Sequence, residues 1–200
     1  RETKKNQPLL LSSECFSPSY SIQQGRGEFE AVIPRELMAS EYRDLQELFG
    51  SLDGKWAGNA MVLLCQGSPD NIRKAIETYS VESEGKMVST SSGRRFDLET
   101  ILYSREKKES HQQNFHFYLD SKKLALAPDI STSDIELISI TPSKLVYVKN
   151  RQPGGERGAY SVRETLVAIE KTGNASFLIE RLNYYNGILV AIDNWQLRNK

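Results

Sequence analysis

The sequence predicts a mainly β protein: an antiparallel up-and-down β-barrel with an N-terminal arm and one amphipathic helix. Three observations predict it. About eight to ten apolar–polar alternating runs recur at roughly ten-residue spacing from Gly54 to the C-terminus. Short turn signals separate them, which favours local hairpin connections over the long crossovers of a Greek key. Helical periodicity is confined to one clear segment near the start of the chain.

Residues 1–34 read as an arm. Lys4-Lys5-Asn6-Gln7-Pro8 is followed by an apolar triplet, Leu9-Leu10-Leu11, and then by Ser/Pro-rich sequence. Glu28 to Ile33 alternate as in a short strand. Residues 35–200 read as one barrel domain. Pro34 suits a helix start, and Leu37, Met38, Tyr42, Leu45, Leu48 and Phe49 recur at helical spacing until Gly50 stops the run. A helix over 35–49 follows. Its apolar stripe is expected to cover a barrel end or wall.

The first long strand opens at Gly54-Lys55-Trp56 and runs through Cys65. Gly54, Ala57, Gly58 and Ala60 are small, as suits a strand bending around the indole. Residues 71–83 fit either a helix or a strand, and a strand over about 75–83 is preferred. Further strands are read at Phe96–Ser104, Asn114–Leu119, Leu124–Leu126, Ile135–Ile140, Leu145–Val148, Tyr160–Ile169, Phe177–Tyr184 and Gly187–Leu197. Asn186-Gly187 is the strongest hairpin signal in the chain, and Lys171-Thr172-Gly173-Asn174 marks another tight turn. Gln152 to Gly158 reads as a loop at a barrel mouth.

A glycine–tryptophan pair that opens a strand just after a helix resembles the Gly-x-Trp signature of the calycin superfamily, the lipocalins, fatty-acid-binding proteins and their relatives. The resemblance covers roughly residues 40–198 and implies a lipocalin-like barrel. It implies that Gly54 and Trp56 form a plug at one end and that a late arginine packs over the indole, with Arg198 as the first candidate and Arg181 as the other. The chain departs from the pattern in its long arm and in lacking the family's Thr-Asp-Tyr loop signature.

Composition narrows the function. The 26 basic and 26 acidic residues cancel, against the basic excess that phosphate binding demands. Nucleic acid is therefore disfavoured as a partner. No apolar run approaches the roughly 20 residues of a membrane-spanning helix. Cys15 and Cys65 lack metal-ligand spacing. They are either two buried thiols or a disulfide tying the arm to the first strand, which needs an oxidising compartment. His111 and His116 lie five apart on one strand and so face opposite ways, which argues against a shared metal site. His116 as an axial ligand keeps haem, or a bilin, open as a cofactor. No Gly-x-Ser-x-Gly elbow is present. The acid pairs Glu28/Glu30 and Asp97/Glu99 read as solvated strand faces.

With Trp56 inward, the apolar faces of the other strands carry Leu98, Leu102, Phe115, Phe117, Tyr147 and Phe177. These are the candidate ligand contacts, and a filled core made of the same side chains is the competing reading. The leading expectation is a non-catalytic carrier of a small hydrophobic molecule, a lipid or pigment, in an extracytoplasmic setting. Two alternatives stand beside it: a protein-interaction module using the arm, and a chromophore-lyase-like barrel.

Overall fold

The computed structural model describes residues 14–27, 32–126, 135–151 and 161–200. Among these residues two helices, α1 (Tyr20–Gln23) and α2 (Ala39–Ser51), precede ten strands. These are β1 (Gly54–Ser68), β2 (Asn71–Ser89), β3 (Arg94–Ser104), β4 (Glu109–Leu119), β5 (Leu124–Leu126), β6 (Ile135–Thr141), β7 (Lys144–Arg151), β8 (Arg163–Gly173), β9 (Ser176–Tyr185) and β10 (Ile188–Asn199). The strand expected over 75–83 is longer than the sequence indicated, and the helix expected at 35–49 begins later. The strand expected at 28–33, the loop at 152–158 and the Leu9–Leu11 triplet lie wholly or mainly outside the described residues.

All pairings are antiparallel, in the order β5-β4-β3-β2-β1-β10-β9-β8-β7-β6. Consecutive strands pair as hairpins, and β1 zips to β10 from Trp56↔Asn199 to Leu64↔Ala191. The sheet thus curls into a nearly closed barrel, and its seam falls between β5 and β6. Asn186 and Gly187 both take positive φ (47° and 85°) between β9 and β10, as a tight hairpin turn with right-handed strand twist requires.

The α2 helix closes one end of the lumen. Glu41 reaches back to the Met38 N–H at 2.9 Å and pairs with Arg35 at 2.7 Å, which ties down the helix start. Leu45, Leu48, Phe49 and Leu52 are fully buried and join the inward side chains of the barrel in one cluster. The Phe49 ring stacks on Phe96 of β3 at 4.7 Å and on Phe117 of β4 at 5.3 Å.

A smaller apolar layer lies outside the barrel wall. Val146, Val148, Leu166, Ala168, Leu182, Tyr184 and Leu189 form it, with Val32 and the partly buried Tyr20 packed against them. The arm is held there by backbone bonds Phe16 N–H to Leu189 O (2.9 Å) and Ser19 N–H to Gly187 O (2.8 Å). Buried Glu164 accepts from the Ser21 hydroxyl and, at 3.2 Å, from the Ser21 N–H. Glu136 accepts from Arg26 at 2.6 Å and from the Ile33 N–H at 3.1 Å. A Cys15–Cys65 disulfide, with Cα atoms 5.6 Å apart, ties the arm to β1. The described part of the arm is thus packed on its own barrel.

Candidate functional site

The lumen has two unlike halves. At the α2 end the inward positions are mostly apolar and buried. Trp56 donates from Nε1 to the Leu52 carbonyl at 3.0 Å, and Phe177 meets its ring edge-on at 4.8 Å. Room for the indole comes from the small inward side chains beside it. Ser83 and Thr100 follow Trp56 across the sheet, and their hydroxyls satisfy each other at 2.7 Å.

The structure gathers five of the six candidate ligand contacts here, and Leu102 stands one inward step towards the mouth, paired with His111. Leu98, Leu102, Phe115, Phe117, Tyr147 and Phe177 are buried in the same cluster as the α2 side chains. Phe117 meets Tyr147 edge-on at 5.6 Å, and Phe115 meets Trp195 at 5.7 Å. Burial pushes the Tyr147 hydroxyl well above the ordinary tyrosine value. These side chains are contacts of one another.

The cation over the plug is a correction. Arg198 is exposed and pairs in register with Ala57, so it shares the outward face of the sheet. Lys171 Nζ sits over the Trp56 ring at 4.8 Å instead. Burial lowers the Lys171 amine. Arg181, the other candidate, lies over Trp195 (5.0 Å) and Phe115 (5.8 Å). The reason is strand parity: Arg198 stands one residue from inward Leu197, whereas Lys171 and Arg181 are two residues from inward neighbours.

Moving away from α2, four of the walls turn polar, whereas β1 stays apolar through Val62 and Leu64. On β4 the inward series runs Phe117, Phe115, Gln113, His111, and on β9 it runs Phe177, Ile179, Arg181, Asn183. On β10 it runs Leu197, Trp195, Asp193, and on β8 Ile169, Val167, Thr165. The change falls at Arg181, whose Nη2 donates to Asp193 Oδ2 and to Gln113 Oε1, each at 2.5 Å. Strands β9 and β4 stand five places apart in a ten-strand order, so this side chain crosses the lumen from wall to wall. It forms a floor above the sealed core.

Beyond this floor the inward side chains Val62, Leu64, Glu77, Tyr79, Thr165 and Asn183 are partly exposed although they sit within long strands. Tyr79 donates to the Glu77 carboxylate, and that bond, with burial, pushes its hydroxyl up to about 12. The same bond, with Lys107 at 3.2 Å, holds the Glu77 carboxyl low. His111 faces Tyr79 edge-on at 6.0 Å, on the lumen side. His116 points outward to Asp97, Nδ1 to Oδ1 at 2.7 Å. Among the described residues no cluster of His, Cys, Asp and Glu has the makings of a metal site. No helix among them is long and apolar enough to cross a membrane.

Sequence reasoning missed Asp193 and Gln113, and considered Arg181 only as a cation over Trp56. A signal was present: Arg181 falls in phase with Phe177 and Ile179, so strand alternation puts a guanidinium on the apolar face.

No family model and no curated relative matches the chain. Among solved structures, the 12:0-ACP thioesterase from Umbellularia californica is similar at a TM-score of 0.21 and 11% identity, over 72% of this chain and 73% of that one. An acyl-ACP thioesterase from Bacteroides thetaiotaomicron gives a TM-score of 0.16 and 10% identity, over 72% of this chain and 77% of that one. Likeness at this level carries no argument about fold or activity.

Proposed function

We propose that this protein is a non-catalytic barrel that binds a small, mainly hydrophobic molecule in the half of the lumen opposite Trp56. One observation carries the reading. Inward positions beyond Arg181 remain partly open to solvent in mid-strand, whereas those on the α2 side are sealed. The ligand therefore meets Val62, Leu64 and Tyr79 along the walls and the Arg181 layer at the bottom. Affinity comes from apolar burial, at about 25 cal/mol per Å² removed from water. The calycin resemblance belongs to this proposal: Gly54-Lys55-Trp56 opens β1 directly after α2, with the indole as the plug. The Cys15–Cys65 bond supports an oxidising, extracytoplasmic setting.

The test uses neighbouring residues on opposite faces. A polarity-sensitive dye is expected to bind one-to-one and saturably. Val62→Trp, which fills the mouth, abolishes that binding. Met61→Trp, on the outer wall where Met61 is 48% exposed, leaves it intact. Equal effects of the two substitutions, or no binding by the native chain, overturn the reading.

A second reading, an interaction module, draws on exposed apolar side chains of the outer wall. Met61, Ile76, Ile101 and Tyr103 are all more than a third exposed on β1, β2 and β3.

A further inference from the structure

Two donors in the floor of the lumen lack an acceptor. Trp195 is wholly buried, and its Nε1–H has no hydrogen-bond partner. Arg181 Nε, equally buried, also has none. The two belong to one layer, with the guanidinium carbon 5.0 Å from the centre of the indole. Trp56 is different, because its N–H is taken by Leu52. A buried donor without a partner is destabilising, so two in one layer ask for an oxygen from outside the chain. Arg181 retains 17% side-chain exposure, while the two unpaired nitrogens themselves are closed to solvent, so a ligand reaches them by shifting the guanidinium.

The charge of the layer decides what kind of oxygen fits. Asp193 already neutralises Arg181 at 2.5 Å. A carboxylate arriving there meets the Asp193 carboxylate with only one guanidinium between two anions, and pays desolvation as well. A neutral carbonyl has the acceptor lone pairs without the charge. Resting on the lumen-binding reading above, we infer that the ligand's buried end is a neutral carbonyl, as in a ketone, ester or amide, received by the Arg181 and Trp195 donors.

The experiment compares three probes of one chain length: undecyl-class methyl ketone, carboxylate and terminal alkene. Each is titrated into the full-length, disulfide-intact protein. The protein has only two tryptophans, so the indole N–H region of a nitrogen-15 correlation spectrum holds two signals, assigned with Trp56→Phe. The ketone is expected to move the Trp195 signal downfield while the Trp56 signal stays still. It is expected to bind about tenfold tighter than either the carboxylate or the alkene, the discrimination typical of a buried polar group left unpaired. Asp193→Asn, which removes the competing anion at nearly constant volume, is expected to reverse the order of ketone and carboxylate.

Binding of all three probes with equal affinity, or tighter binding of the carboxylate by the native chain, overturns this inference while leaving the lumen-binding reading in place. Binding of none of them overturns both. An unchanged Trp195 signal in the ketone complex also overturns the inference. Should Asp193→Asn fail to fold, the native-chain comparison of ketone with carboxylate decides alone.

Discussion

The Trp56 indole donates to the carbonyl of Leu52 at 3.0 Å, and the same carbonyl oxygen rests on the backbone of Gly85. Leu52, two residues before β1, is thereby pinned to both β1 and β2. A Cβ added at Gly85 falls 2.0 Å from that oxygen, so the helix must move. Gly85→Ala is expected to cost about 2–3 kcal/mol, as overpacking in a core does. Trp56→Phe, which loses the hydrogen bond and leaves space, is expected to cost about 2–4 kcal/mol. Urea unfolding of both variants measures this.

The disulfide prediction concerns the arm. The Cys15–Cys65 bond spans 50 residues, and loop-closure arguments give such a cross-link about 2–4 kcal/mol. The Cys15→Ser/Cys65→Ser protein is expected to lose stability in that range. Amide exchange should then rise at Phe16 and Ser19, whose N–H groups bond to β10 and the turn before it. A stability loss without faster exchange there means that the arm holds without the bond.

Acid should loosen both entry points of the arm and helix. The Arg35 hydrogen bond holds the Glu41 carboxyl below its ordinary 4.5. Burial alone raises Glu136, but hydrogen bonds from Arg26, the Ile33 N–H and Tyr20 outweigh it and leave that carboxyl low as well. The unfolded chain therefore binds more protons than the folded one. This stabilisation is complete above the unfolded value and is lost as pH falls through the folded values. Stability is expected to drop below about pH 4.5, with a shallower drop in Glu136→Gln. A parallel slope in that variant would refute the assignment.

The cation over the plug is tested by a pair of substitutions. Lys171→Met is expected to lose about 0.5–1 kcal/mol through its contact with Trp56. Arg198→Met is expected to stay within about 0.5 kcal/mol, as exposed positions do. The reverse order in thermal unfolding would restore Arg198 to the role.

Much of the barrel was legible because alternation and turn chemistry are local. Phe96 to Leu102 and Phe115 to Leu119 each announce one buried face, and Asn186-Gly187 announces its hairpin. The true length of β2 was hidden because residues 71–79 pair only with β1, so nothing on their other edge demands a strand-like pattern. The open half of the lumen was hidden for another reason. Phe115 and Phe177 announce an apolar lumen, and apolar pattern alone does not distinguish walls from filling. That distinction depends on α2 inserting Phe49 between Phe96 and Phe117, a contact between distant segments. The Arg181 layer depends likewise on β9 and β4 facing each other across the barrel.

The ladder between β1 and β10 joins the chain's first and last strands, while every other ladder joins consecutive ones. Its pair Trp56↔Asn199 closes 143 residues of chain, an entropic demand on the order of 4 kcal/mol that must be met before the ladder returns anything. Kinetically, then, the molecule is two meanders, β1–β5 and β6–β10, that can form from local contacts and must afterwards find each other. Gly58 governs that meeting, since a Cβ there falls 1.8 Å from the Gln196 carbonyl oxygen. Folding speed is set at this one line of contact, whose far end at Val62 and Leu64 forms part of the open half of the lumen.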